Sequence, residues 1–309
     1  MAYRLTAKRS HPDKLAKTMD VASHPVVAAA LAAMLAPGPT PTPNTAAHPV
    51  NWLPQVMDQG QTGSCTAHAL AAGLFATMAA RGTPLPFVPS PKNFYSCSGA
   101  VARAASAPLD PMPALTDDGR ELADEITALM TCGVSAIGTD SVCPTPDGRY
   151  SDIWSETDVA GLSPAPNANV TAEPSIQALE ASASDCLSGA YTVDPAPAAN
   201  GAKLAAALDS GMAIYIGFSC GSAFQALVAG QVAQPTPASD ATAGGHSIVI
   251  VSYRINAAGE YEWRARNSWG ATFADSGDVW CSDSWRMALW EAWALNETML
   301  NAVVAKEAA

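Results

Sequence analysis

The feature that most restricts the fold is a buried helix entered through a glycine-rich turn. Ala67, Leu70, Ala71, Leu74, Phe75 and Met78 recur at helical spacing. Ser64 stands where an N-cap belongs and Gly82 follows the last turn, so a helix is expected between them. The turn before it, Asp58-Gln-Gly-Gln-Thr-Gly-Ser-Cys65, delivers a cysteine to the first helical position. A thiol is mostly protonated at neutral pH. Helix N-terminal amides and a nearby imidazolium stabilise the thiolate, which is the nucleophilic form. Cys65 is therefore a candidate nucleophile.

The rest of the chain divides unevenly. A second helical pattern covers Glu121–Met130 and stops near Gly133. Lys203–Asp209 reads as a helix and Ala213–Phe218 as a strand. The last third is β-rich: His246–Tyr253 is an apolar strand, Asn256–Gly259 has turn chemistry, and Tyr261–Arg266 alternates apolar with polar residues. The expected product is a hairpin. His246, preceded by two glycines, opens one strand, and Asn267 ends the other, so the hairpin brings them close. An amide there can fix the tautomer and orientation of the imidazole. Trp285, Leu289 and Trp293 are spaced as a helical stripe, read as core packing. Residues 155–200 read mostly as loop, with a short helix near Ser175–Ala183.

Residues 1–50 form an extension. A helix over about 24–36 should end at Pro37, where proline cannot continue it. The apolar run Val26–Ala36 starts too late and is too rich in alanine for a secretory signal, and Asp13 and Asp20 interrupt the basic lead before it. The stiff Pro37–Pro43 linker is expected to hold the preceding arm away from the core. The arm would then dock across the site that holds Cys65 or reach a neighbouring chain.

Composition excludes several classes of partner. The formal charge of −12 argues against nucleic acid, whose binding releases counterions from a basic surface. No apolar run reaches the roughly 20 residues of a spanning helix, so no membrane partner is expected. The seven cysteines include no C-x-x-C pair, so no metal site is expected. Their scattered spacing suits a reducing cytoplasm or a virion better than a secreted disulfide framework.

These stretches resemble the papain-like cysteine peptidases, whose pattern is Q-G-x-C-G-S-C-W-A-F, then a histidine, then N-S-W-G. Gln59 falls on the oxyanion-hole glutamine, Cys65 on the nucleophile, His246 on the base and Asn267 on the orienting amide. Trp269 matches the indole that shields the histidine–asparagine bond. Val50-Asn-Trp52 looks like the start of a mature domain, giving a peptidase domain over 51–309. The resemblance implies an α+β papain-like two-lobe fold. A helical left lobe would hold the Cys65 helix, a β-barrel-like right lobe would carry His246 and Asn267, and the cleft would lie between. It implies acyl transfer on a protein or peptide substrate, with no cofactor.

Departures from the pattern are several. Thr62 replaces a cysteine, Thr66 and His68 replace Trp and Phe, and Phe273, Ala274 and Asp278 replace Trp, Gly and Tyr. From Cys65 to His246 is 246 − 65 = 181 residues, beyond the ~130–150 usual for the family. No C-N-G-G motif marks the cleft wall. The substitutions look more like bacterial or phage branches than lysosomal enzymes. They also motivate an alternative, a papain-like fold serving as a structural or binding part of an assembly such as a phage virion. His68, three residues after Cys65, is a rival base, and its simpler reading is a polar residue on the surface of the central helix. An amidase or transglutaminase-like transferase shares the Cys-His logic but has a different third member.

Overall fold

The computed structural model describes residues 5–11, 19–23, 25–35, 56–85, 88–106, 117–133 and 190–295. The Pro37–Pro43 stretch, Val50–Trp52, the helix expected near Ser175–Ala183, Cys143 and Cys186 lie outside these residues.

The first helix, α1, spans Pro25–Leu35, and α2, which starts at the cysteine, spans Cys65–Ala80. Almost every residue of α2 is buried, and Gly82 turns the chain away with φ of 78°. Helix α3, Pro91–Ser106, was not anticipated. Its signal was present, since Ser90 precedes a proline at the first helical position and its Oγ accepts the Asn93 amide at 3.1 Å. Helix α4, Leu122–Thr131, is followed by Gly133 with φ of 76°.

The sheet is built from β1 (Met19–Asp20), β2 (Ala190–Val193), β3 (Ile214–Cys220), β4 (Val232–Ala233), β5 (Gly244–Ile255), β6 (Tyr261–Arg266), β7 (Asp278–Ser282) and β8 (Glu291–Leu295). The strand order is β1-β2-β8-β3-β5-β6-β7-β4. The order ends on β1 at one edge and β4 at the other, so the sheet is open, which corrects the barrel-like expectation. Strands β5 and β6 form the expected antiparallel hairpin, with Val249 opposite Arg266.

Period-2 alternation divides the core. Ile214, Ile216, Ile248 and Ile250 face a cluster with Leu204, Leu208, Trp263 and Trp285. Tyr215, Val249 and Val251 face a second cluster with Leu70, Leu74, Phe94 and Ile126. Because both faces are covered, the central strands read as continuous apolar runs. The first cluster also takes helix α5, Gly201–Asp209. A short helix α6, Ser222–Gln225, follows β3.

Two expectations need correction. The stripe Trp285, Leu289, Trp293 is not one helix. Trp285 lies in α7 (Asp283–Met287), Leu289 in the turn after it, and Trp293 in β8. All three are buried, so the packing role stands while the period does not. The extension is not held away from the core either. Val27 of α1 is fully buried in the first cluster, and β1 pairs in parallel with β2.

Candidate active site

Cys65 sits at the first position of α2 because the turn before it is tied to itself. The Thr62 hydroxyl donates to the Gln59 carbonyl at 2.7 Å and lies 2.6 Å from the Ser64 hydroxyl. Thr62 thus braces the turn where the family pattern has a cysteine. Ser64 precedes the helix but its side chain does not cap it. Instead its carbonyl takes a hydrogen bond from His68 Nδ1 at 3.0 Å. His68 is buried, at 1% exposure, which overturns the surface reading of that residue. The Thr66 hydroxyl donates to the buried Glu125 carboxyl at 3.0 Å.

The opposite wall comes from the β5–β6 hairpin. His246 Nε2 donates to Asn267 Oδ1 at 2.9 Å, and both residues are buried. Trp269 stacks on the imidazole, with centroids 4.6 Å apart, and Phe218 meets it edge-on at 5.6 Å. Asn267 is held by its backbone amide, which donates to the Gly277 carbonyl at 2.9 Å. The residue before it, Arg266, forms a buried ion pair with Asp278. That pair gives a reason for an aspartate where the family pattern has tyrosine. Phe273 lies edge-on to Trp269 at 4.8 Å. Ala274 keeps the left-handed backbone, φ 42°, at the position of a family glycine.

Gln59 joins the two walls. Its Oε1 accepts the Ser268 hydroxyl at 2.6 Å, its backbone amide donates to the Ser268 carbonyl at 2.9 Å, and its Nε2 donates to the Thr62 carbonyl at 3.0 Å. An amide nitrogen carries two hydrogens, so one remains for another acceptor.

The third wall was not legible in the sequence. It is the loop Asp117–Glu121, before α4, which lies against Thr6 and Lys8. Asp117 Oδ1 accepts the Gly63 amide at 2.8 Å and the Tyr95 hydroxyl at 2.9 Å, which fastens this loop to the cysteine turn and to α3. The Arg120 guanidinium lies 4.1 Å over the Tyr95 ring.

Residues 5–11 of the same chain run between these walls. Ala7 donates its amide to the Gly245 carbonyl at 2.8 Å, and Lys8 donates to the Arg120 carbonyl at 2.9 Å. Further along, the Ser10 amide donates to Glu291 Oε1 at 3.0 Å and the Ser10 hydroxyl accepts the Ala123 amide at 2.9 Å. The approach is close. A Cβ on Gly245 would lie 1.7 Å from the Ala7 carbonyl oxygen, and one on Gly119 would lie 1.7 Å from that of Thr6.

This covering sets the electrostatics. Burial pushes the Cys65 thiol up to about 11, offset only in part by backbone hydrogen bonds from Ser247, Thr6, Thr66 and Ala7. Burial likewise pulls His246 down to about 4, against the hydrogen bond to Asn267. His246 Nδ1 makes no hydrogen bond, so it is not bonded to the Cys65 thiol here. The structure brings His246, Asn267 and Trp269 into direct contact. It places Cys65 against the backbone of Ser247, next to His246, and leaves thiol and imidazole both neutral. Among the described residues no group of three His, Cys, Asp or Glu side chains is placed to hold a metal ion.

No model of a protein family matches the sequence, and neither does any curated protein sequence. Solved structures do match. Xylellain, a cysteine protease from Xylella fastidiosa, superposes with a TM-score of 0.68 at 21% identity, over 95% of this chain and 96% of that one. Digestive procathepsin L 3 of Tenebrio molitor larval midgut gives 0.56 at 15% identity, over 84% of this chain and 72% of that one. The bromelain protease of Ananas comosus, solved with the E64 inhibitor, gives 0.51 at 16% identity, over 80% of this chain and 95% of that one. With its mixed α+β architecture and open sheet, the chain has the papain-like fold.

Proposed function

We propose that the protein is a papain-like cysteine peptidase whose cleft is occupied in the resting state by its own residues 5–11. The observation that carries this reading is the His246–Asn267 hydrogen bond beneath Trp269, facing a helix that opens on Cys65. Asn267 takes the Nε2 proton of His246, which leaves Nδ1 as the lone pair that can accept a proton from the thiol. Once the arm leaves and water enters, the thiolate–imidazolium pair regains solvation and Cys65 can attack a peptide carbonyl. Gln59 Nε2 and the Cys65 amide are the donors for the oxyanion. His246 then protonates the leaving amine, and water releases the acyl group. Gly245 and Gly119 admit an extended peptide backbone by the same close approach that they offer the arm. The substituted motifs favour a bacterial- or phage-type branch of the family.

The test is peptide cleavage under reducing conditions, with labelling by an epoxide inhibitor followed by mass mapping. Cys65→Ser and His246→Ala should each abolish turnover, and Asn267→Ala should lose less. Folding should survive in Cys65→Ser, because the change is nearly isosteric. Equal and undetectable cleavage by wild type and Cys65→Ser across a broad peptide library, with no epoxide adduct, would overturn the reading in favour of a scaffold role.

A further inference from the structure

We propose that His68 is a positioning residue for Asn267 and acts on it through one buried water. The proposal rests on Asn267 being the amide that orients His246. The Asn267 oxygen is already engaged, accepting from His246 Nε2 at 2.9 Å and from the Ser268 amide at 2.8 Å. Its Nδ2 is buried and has no hydrogen-bond partner. A buried amide donor left in that state costs about 1–3 kcal/mol.

A largely enclosed cavity of about 10 Å³ lies beside it, lined by Met57, His68, Ser247, Arg266, Asn267 and Ser268 among others. That is the space of about one water, and although much of the lining is apolar, His68 and Asn267 are among its polar lining residues. The chemistry of His68 is complementary. A carbonyl can only accept, so the contact with the Ser64 carbonyl places the proton on Nδ1 and makes Nε2 an acceptor. Burial pulls this imidazole down to about 4, so it remains a neutral acceptor at neutral pH. The water takes the Asn267 Nδ2 proton as a hydrogen bond and gives one of its own to His68 Nε2.

The consequence is a fixed amide. An asparagine turned by 180° would offer Nδ2 to His246 and reverse the tautomer, and the Nδ1 lone pair needed by Cys65 would be lost. The Ser268 amide holds the oxygen from one side. The water and His68 hold the nitrogen from the other. A histidine replaces phenylalanine in the family pattern here, and this pairing gives it a task a phenyl ring cannot perform.

The full chain labelled with ¹⁵N-histidine tests this, since its five histidines are few enough to resolve. Long-range ¹H–¹⁵N spectra should show His68 as the Nδ1–H tautomer. Asn267→Ala should shift its Nε2 resonance, and His68→Phe should shift the resonances of His246. An Nε2–H tautomer of His68, or an Nε2 resonance unmoved in Asn267→Ala, overturns the proposal. Against a short peptide substrate, His68→Phe should lower kcat about tenfold with KM unchanged. His68→Gln restores an acceptor and should recover most of that loss. Equal losses in the two variants would show a packing role instead. A wild type that cleaves no peptide would sink the peptidase reading, while the spectra still decide the role of His68.

Discussion

Cys65 and His246 are each held in the uncharged form by the same cause, the removal of water. With the thiol at about 11 and the imidazole at about 4, proton transfer between them is uphill while the arm is in place. Cys132 is the opposite case. It is only half-buried, and a hydrogen bond with Cys97 pulls it down to about 6. Of the five described cysteines, iodoacetamide at pH 7 should therefore label Cys132 first, and Cys65 should lag. Mass mapping of a time course checks this, and Cys65 reacting first would show that the arm does not protect it. Glu125 gives a second test at this scale. Burial raises its carboxyl from 4.5 to about 7, with Arg120 opposing. Between those values the unfolded chain releases the proton and the folded chain keeps it, so this group's contribution to stability falls as pH rises through the window. Glu125→Gln removes that dependence. Relative to wild type it should gain up to about 3 kcal/mol between pH 4.5 and pH 8, read by urea unfolding. A difference that does not change with pH would contradict the assignment.

At the scale of elements, the extension behaves as two parts. Residues 5–11 line the cleft through backbone hydrogen bonds and the Ser10 side chain, with Leu5 against the first cluster, whereas α1 is buried in that cluster through Val27. Deleting residues 1–11 should speed the labelling of Cys65 and lower the melting temperature, because buried Glu291 and the Ala123 amide lose Ser10 as a partner. Deleting residues 1–45 should lower it further. Uncovering one buried valine alone costs about 1.5–3 kcal/mol, and β1 is lost as well. Equal melting temperatures for the two deletions would show that α1 does not contribute to the core. Gly245 permits a sharper separation of arm from substrate. Gly245→Ala places a Cβ where the Ala7 carbonyl lies. The variant should expose Cys65 to a small alkylating agent and at the same time raise KM for peptides, because an extended substrate needs the same approach. Faster alkylation with an unchanged KM would mean that substrate does not use this wall.

Over the whole molecule, what the sequence by itself determined is local. The turn into α2, its burial, the β5–β6 hairpin and the meeting of His246 with Asn267 all follow from residues near one another in the chain, whose periods and turn chemistry act within about twenty positions. Helix α3 belongs with these in principle, because its Ser-Pro start is a local signal. Elsewhere a local pattern misled: the spacing of Trp285, Leu289 and Trp293 mimics a helix, but sheet pairing of β8 with β3 outweighs a five-residue helix. Only the tertiary structure decided the rest. Gln59 meets Ser268 across 209 positions, and Ser10 meets Glu291 across 281. The cleft wall at Asp117–Glu121 is made by a carboxylate that gathers the Gly63 amide and the Tyr95 hydroxyl. Single residues at such separations carry no period and no motif. Their partners are chosen by which groups the packed lobes leave buried and in need of a hydrogen bond, and that choice exists only once the lobes have come together.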